Sequence, residues 1–340
     1  MRNAIVFVRS NILPLLQEIE KFTRKFLYYT PYYNRNFPIN PQEPEIYNKH
    51  GERMRVFFIA DRELCHNPYG HYGPGLPEYI LWDRYNFGLK THFYSHYEAF
   101  NLVGNPERRY AMLIESRAIK PKTYGKFIRE KSYIENEFDL VFTYDAEILE
   151  TFKNARFVPF CAGYWYGKVD PSAALSPDNW RHKTKNVSIL SSYKTSCELH
   201  RVRKDLAVRC RREGLADAFG TFDGGEKVTP ESTLKDYRYS IIIENDIEPL
   251  FFTEKLTNCF ASQTIPVYLG ATKIHEFFNP EGIITLTRNG VEDIGQVLRQ
   301  CTPEEYERRL PAVLDNFGRV GEYSNPHDYM YVKYLKESFG

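Results

Sequence analysis

The sequence predicts an α/β protein built as two Rossmann-like, parallel-sheet domains that face each other across a cleft. Three observations predict it. The length of 340 residues favours two compact domains over one. Beyond Asn186, short apolar runs alternate cleanly with helix-length amphipathic ones. Between residues 51 and 170 a looser version of the same alternation is present. Strands and helices of these lengths make parallel strands joined by right-handed crossovers, with ligands at the carboxyl ends of the strands.

The chain divides into an N-terminal helix and irregular connection (1–50), a first α/β domain (51–170), a second (186–320) and a C-terminal helix (321–340). In the first segment, apolar residues recur at helical spacing from Ser10 to Tyr28, with Lys21, Arg24 and Lys25 on another face. That pattern suits a helix packed on the protein's own body, or peripheral contact with a membrane surface. In the first domain, strands are expected at Arg55–Ala60, Tyr110–Ile114 and Leu140–Tyr144, and helices at Lys122–Lys131 and Ala146–Lys153, the latter capped by Asp145. Gly70 to Gly75 reads as a loop. Gly167 to Lys185, with Pro171, Ser172, Ser176, Pro177 and Asp178, reads as the interdomain linker.

The second domain is expected to run through strand Val187–Leu190, helix Glu198–Glu213 stopped by Gly214, strand Asp217–Phe219, helix Glu231–Tyr237 and strand Tyr239–Ile243. Helix Glu254–Ser262, strand Ile265–Leu269, helix Lys273–Phe278, strand Ile283–Leu286 and helix Val291–Gln300 follow. Thr302-Pro303-Glu304-Glu305 opens one more helix with a capping box.

Composition narrows the function. A net charge of +1 gives no field that draws the chain broadly to nucleic acid or an acidic membrane. The six cysteines include no C-x-x-C pair, so they read as reduced thiols of a cytoplasmic protein. Cys197-Glu198-Leu199-His200 lacks a second paired cluster, so no zinc is expected there. His92 and His96 have a spacing that sets two imidazoles on one helix face, but they read as loop or packing histidines. A P-loop and a G-x-G-x-x-G are both absent, which argues against a nucleoside triphosphatase or an NAD enzyme.

The most informative stretch is Tyr239 to Gly270, YSIIIENDIEPLFFTEKLTNCFASQTIPVYLG. Glu244 and Asn245 stand at the end of a strand that is apolar on both faces. Thr253 is a good N-cap, and Glu254 and Lys255 occupy the first turn of the next helix. A helix N-terminus attracts phosphate through its N–H groups, and Lys255 adds a full charge at the same place. The Glu254 carboxylate suits a ribose diol.

This segment resembles the nucleotide-sugar-binding signature of the α-1,3/1,4-fucosyltransferases, glycosyltransferase family 10. The matching residues are Glu244, Asn245, Thr253, Glu254, Lys255, Pro266, Val267 and Gly270. Phe251 stands where the family commonly has Tyr, keeping the ring face without the hydroxyl, and Ile243 replaces a Phe. The resemblance implies a GT-B type fold, with an acceptor-binding N-terminal domain and a donor-binding C-terminal one. It implies an inverting transfer of fucose from GDP-fucose to a hydroxyl of a glycan or glycolipid acceptor. Alternatives are the same fold with another nucleotide sugar, or an inactive member that binds glycan or nucleotide. Asn245, Glu254, Lys255 and Phe251 are expected at the donor. Arg201 is the candidate for the diphosphate arginine, with Arg203 as its substitute. Glu115, at the end of strand Tyr110–Ile114, is the expected general base, and Asp83 is the substitute. The sequence contains no Asp-x-Asp, so no catalytic metal and no cofactor are expected.

Overall fold

The computed structural model describes residues 40–61, 77–168 and 175–339. The helix expected at Ser10–Tyr28, the Gly70–Gly75 loop and the middle of the Gly167–Lys185 linker lie outside the described residues.

The first domain is a seven-stranded sheet. Its strands are β1 (Ile46–Tyr47), β2 (Arg53–Ala60), β3 (Ile80–Asp83), β4 (Thr91–Ser95), β5 (Arg108–Met112), β6 (Leu140–Thr143) and β7 (Ala155–Phe157). The order runs β2-β4-β5-β6-β7, with β3 and the short antiparallel β1 both on β2. All pairs other than β1·β2 are parallel. Helices α1 (Pro121–Arg129), α2 (Lys131–Glu137) and α3 (Ala146–Thr151) form the crossovers after β5 and β6. Asp145 caps α3 by accepting from the Ile148 N–H at 3.0 Å, as expected.

The second domain is a five-stranded, all-parallel sheet in the order β12-β11-β10-β8-β9. Its strands are β8 (Lys185–Leu190), β9 (Asp217–Phe219), β10 (Tyr237–Ile243), β11 (Ile265–Leu269) and β12 (Ile284–Thr285). Helix α4 (Glu198–Glu213) ends at Gly214, whose φ of 67° is the left-handed conformation that a glycine adopts without strain. α5 (Pro230–Leu234), α6 (Glu254–Ala261), α7 (Arg288–Glu292), α8 (Ile294–Leu298) and α9 (Pro303–Val320) complete it, with Thr302 capping α9.

Several elements differ from expectation. β3 and β4 lie outside the expected strands, because β3 has only four residues and ends in Asp83, and β4 opens on the polar but buried Thr91 and His92. His92 therefore sits in a strand, its Nδ1 2.9 Å from the Tyr94 hydroxyl, and shares no helix face with His96. The helix expected at Val291–Gln300 is two short ones, α7 and α8, meeting at Asp293. Lys273–Phe278 contains a single 3-10 turn. The C-terminal segment is a broken run, α10 (Pro326–Met330), a π-turn at Tyr331–Leu335 and α11 (Lys336–Phe339). It crosses back onto the first domain, where Asp328 accepts from the N–H of Glu78 and Tyr79 and the Tyr334 hydroxyl donates to the Phe157 carbonyl. One apolar core accordingly joins both domains, with Phe57, Trp82 and Phe93 of the first packed in the same cluster as Leu256, Phe260 and Tyr331.

Lys183, where the chain enters β8, is buried, and its Nζ donates to the Leu234 carbonyl (2.8 Å) and to Thr264 Oγ1 (2.9 Å). Two acceptors match the two N–H bonds of a neutral amine. Burial pulls its pKa from 10.5 down to about 7, against weaker upward pulls from Cys259 and Asp236. Above pH 7 the unfolded chain therefore binds a proton that the folded one has released, and Lys183's share of stability rises with pH. Between pH 7 and 8.5, below the range where buried thiols reverse the trend, wild type is expected to gain up to about 1.4 kcal/mol per pH unit relative to Lys183→Met. Parallel urea curves for both proteins would refute this.

Candidate functional site

A cavity of about 660 Å³ opens between the two sheets at the carboxyl ends of β5 and β10. Glu115, Cys161 and Trp165 line its first-domain wall, and Lys194, His200, Arg203, Asn245, Glu254, Lys255 and Asn258 its second-domain wall. The cleft read from the strand–helix alternation is therefore present, at the strand ends where parallel sheets bind ligands.

Glu244 organises the second wall. It follows β10 directly and is fully buried. Its carboxylate accepts from the Thr253 N–H (2.9 Å) and the Thr253 hydroxyl (2.7 Å), stapling the strand end to the start of α6. Burial raises its pKa, opposed chiefly by Lys255, whose Nζ lies 3.6 Å away. Gly270, the last residue of the matching motif, is explained by the same carboxylate. A Cβ there would stand 2.6 Å from Glu244 Cγ and 2.4 Å from the Tyr268 hydroxyl.

Lys255 keeps 24% of its side chain exposed toward the cavity and contacts Glu254 Oε1 (3.1 Å) and Thr253 Oγ1 (3.0 Å). Burial pulls its pKa down, but Glu254 and Glu244 outweigh that, so it stays a full cation. Asn245 is tied to α4, its Oδ1 2.9 Å from His200 Nε2 and its carbonyl accepting from the Cys197 thiol. Burial and the Arg203 charge hold His200 near a pKa of about 4, so it is neutral and adds no charge to the cavity.

The structure places three expected features elsewhere than the cavity lining. Arg201 points to solvent and does not line the cavity. Arg203, two residues on, is the cavity arginine, buried with Nη1 donating to the Ile243 carbonyl at 2.6 Å. Residues 199, 203, 206 and 210 share the buried stripe of α4, and 201 falls on the opposite face. Phe251 does not line the cavity. Its ring is buried against Tyr144 with centroids 4.6 Å apart, in the core of the first domain. Phe251→Ala is therefore expected to cost about 3–5 kcal/mol in urea unfolding and leave GDP affinity unchanged. Loss of GDP binding by a fully folded variant would contradict that placement.

The third of these concerns the amides of α6. The Glu254 N–H donates to the Cys161 carbonyl (2.6 Å), the Lys255 N–H to Thr253 Oγ1 (3.3 Å) and the Leu256 N–H to the Thr253 carbonyl (3.1 Å). The chain itself fills the N-terminus of that helix, so its cations, rather than its amides, are what the cavity offers to an anion. The Cys161 carbonyl and Thr253 do the filling, and the chain after Cys161 runs on along the helix. The Ala162 carbonyl accepts from the Thr257 hydroxyl (2.7 Å), and Asn258 Oδ1 accepts from the N–H of Trp165 and Tyr166 (2.7 and 2.8 Å).

On the opposite wall stands Glu115, half-buried just beyond β5. Its Oε1 accepts from the Ser116 N–H (2.8 Å) and its carbonyl from the Tyr124 hydroxyl (2.8 Å). Asp83 is elsewhere, capping a turn by accepting from the N–H of Tyr85 and Asn86, and does not line the cavity. Sequence reasoning missed Asn258, Trp165, Lys194 and His200. Asn258 was accessible, since it follows Glu254 by one helical turn. Trp165 and Lys194 sit on irregular segments with no periodicity to place them. Among the described residues no group of three or more His, Cys, Asp or Glu side chains is gathered as metal ligands. No helix among them is long and apolar enough to cross a membrane.

Residues 180–307 match the family model for the C-terminal part of glycosyltransferase family 10 (fucosyltransferase). Curated relatives include 4-galactosyl-N-acetylglucosaminide 3-alpha-L-fucosyltransferase 9 of Homo sapiens and of Bos taurus, each 24% identical over 212 residues. The match takes in 61% of this chain and 45% of each relative, so the chain spans about half the length of these proteins. Among solved structures, Anabaena Alr3699/HepE in complex with UDP and glucose superposes with a TM-score of 0.51 at 9% identity, over 74% of this chain and 79% of that one. An α1,3-fucosyltransferase with GDP-fucose gives 0.47 at 14% identity, over 82% and 86%. The architecture is GT-B, and the resemblance carried by residues 239–270 extends across the second domain.

Proposed function

We propose that this chain, whose second domain carries the family 10 glycosyltransferase match, transfers fucose from GDP-fucose to a hydroxyl of a glycan or glycolipid acceptor with inversion at the anomeric carbon. The observation that supports this best is a cavity with the Glu115 carboxylate on one wall and a group of cations that includes Arg203 and Lys255 on the other. Residues 51–170 would hold the acceptor and 186–320 the donor.

The reaction is a single displacement. Glu115 takes the proton of the acceptor hydroxyl as its oxygen attacks the fucose anomeric carbon. The bond from that carbon to the β-phosphate oxygen breaks, and its electron pair leaves with GDP. Lys255 and Arg203 stabilise the charge that builds on the departing diphosphate. Asn245 and Glu254 border the same wall and suit the nucleotide's ribose and phosphate oxygens. We place the protein in the cytoplasm, consistent with the free thiols of Cys161, Cys197, Cys210, Cys259 and Cys301. Peripheral membrane contact through the first fifty residues belongs to the same proposal.

The test is a donor screen in which mass spectrometry follows nucleotide release from GDP-fucose, GDP-mannose and UDP-sugars over a panel of glycans. GDP released from GDP-fucose alone, with β-configured donor giving α-linked product, is expected. Turnover of a UDP-sugar instead would replace the donor while keeping the machinery. Tight GDP binding with no transfer to any acceptor would mark the chain as a recognition module.

A further inference from the structure

We propose that His96 is the positioning residue that holds Glu115 in register for its task, by standing in for a missing sheet neighbour. The inference rests on the role assigned above to Glu115. β4 and β5 pair in parallel as far as Ser95 and Met112. There β4 turns away, while the β5 chain continues toward the cavity through Leu113, Ile114 and Glu115. On the other side β6 still serves it, since the Leu113 N–H donates to the Phe142 carbonyl at 2.9 Å. On the β4 side no strand remains to accept from the next amides.

His96 supplies the acceptor. Its ring is buried, and Nε2 accepts from the N–H of Ile114 (3.2 Å) and of Glu115 (2.9 Å). A nitrogen that accepts two N–H bonds carries no proton, so the ring is the tautomer protonated at Nδ1. The backbone of His96 bends to make this possible. Its φ of 50° lies in the left-handed region, and Gln263 is the one other non-glycine residue with positive φ among the described residues. A histidine kept in a sparsely populated conformation is held there by its surroundings, and such residues gather at functional sites.

The clamp is complete around one residue. The Glu115 N–H is fixed by His96, its carbonyl by the hydroxyls of Tyr124 (2.8 Å) and Tyr144 (3.4 Å), and its carboxylate by the Ser116 N–H. Neither tyrosine nor the histidine lines the cavity, so each acts through the glutamate. Removing the imidazole leaves two amides without an acceptor and lets the strand end drift. A drift of the order of an ångström at a reacting group costs about a hundredfold in rate.

Two variants test this. His96→Gly removes the acceptor while relieving the left-handed backbone, so the chain retains its fold. His96→Gln restores an acceptor near the Nε2 position. With GDP-fucose and a competent acceptor, His96→Gly is expected to lower kcat about tenfold to a hundredfold while the donor KM and the GDP Kd stay within about twofold. His96→Gln is expected to recover most of the loss. Hydrogen exchange by NMR should show the Ile114 and Glu115 amides at least about tenfold faster in His96→Gly, and near wild type in His96→Gln. Wild-type kcat in His96→Gly, a glutamine no better than glycine, or a parallel loss of donor affinity would overturn the proposal. If wild type transfers no sugar, the assigned activity fails, and exchange at residues 114 and 115 still decides whether His96 clamps them.

Discussion

Glu115→Gln is expected to lower kcat about 10²–10⁴-fold while GDP-fucose binds within about twofold of wild type. The size follows from what is removed. An acceptor hydroxyl is a weak nucleophile, and in the proposed reaction Glu115, the carboxylate on the first wall, takes its proton. Glutamine keeps the shape and the acceptor for the Ser116 N–H, so the turn survives and the base alone is lost. The proposed donor contacts lie on the opposite wall, which predicts a fall in kcat without a change in donor KM. Rapid-quench turnover and isothermal titration of both proteins check the two halves. Unchanged kcat would remove Glu115 from the mechanism. Loss of donor binding would show that it holds the sugar nucleotide.

Lys255→Ala is expected to weaken GDP binding about 10–100-fold and to lower kcat/KM further, because a charge-assisted bond to phosphate strengthens as the diphosphate departs. The single variant also strips the buried Glu244 of a cation 3.6 Å away, and an uncompensated buried carboxylate can disturb the site by itself. The double variant Lys255→Ala/Glu244→Gln separates the effects. Glutamine still accepts from Thr253, and it carries no charge to strand. If the double variant regains GDP affinity, Lys255 serves Glu244; if affinity stays low, Lys255 serves the phosphate. Raising salt is expected to weaken the wild type more than either variant.

Much of this was legible from residues. The carboxyl end of β10, with Glu244 and Asn245, and the start of α6, with Thr253, Glu254 and Lys255, are where an apolar run and an N-cap put them. Strands β9 and β11 and helix α4 have the expected bounds, and the left-handed Gly214 ends α4. Periodicity separates Arg203 from Arg201, since Leu199, Leu206 and Cys210 define which side of α4 faces the sheet. Phe251 was misplaced for a different reason. It sits in a loop of the second domain yet packs on Tyr144 of the first, and no local pattern encodes such a partner. The occupied Glu254 amide of α6 was hidden likewise, because its acceptor, the Cys161 carbonyl, lies some ninety positions earlier in the chain.

The strip of backbone from Cys161 to Tyr166, laid along α6, bears on how this chain could be recombined with others of its fold. A second domain cut free near residue 180 would lose the carbonyl that closes its helix, the two amides held by Asn258 and the apolar cover supplied by the C-terminal return. The transplantable unit is therefore the second sheet together with that strip and the tail. Chimaeras joined between the sheets should misfold where those joined upstream of Pro159 succeed.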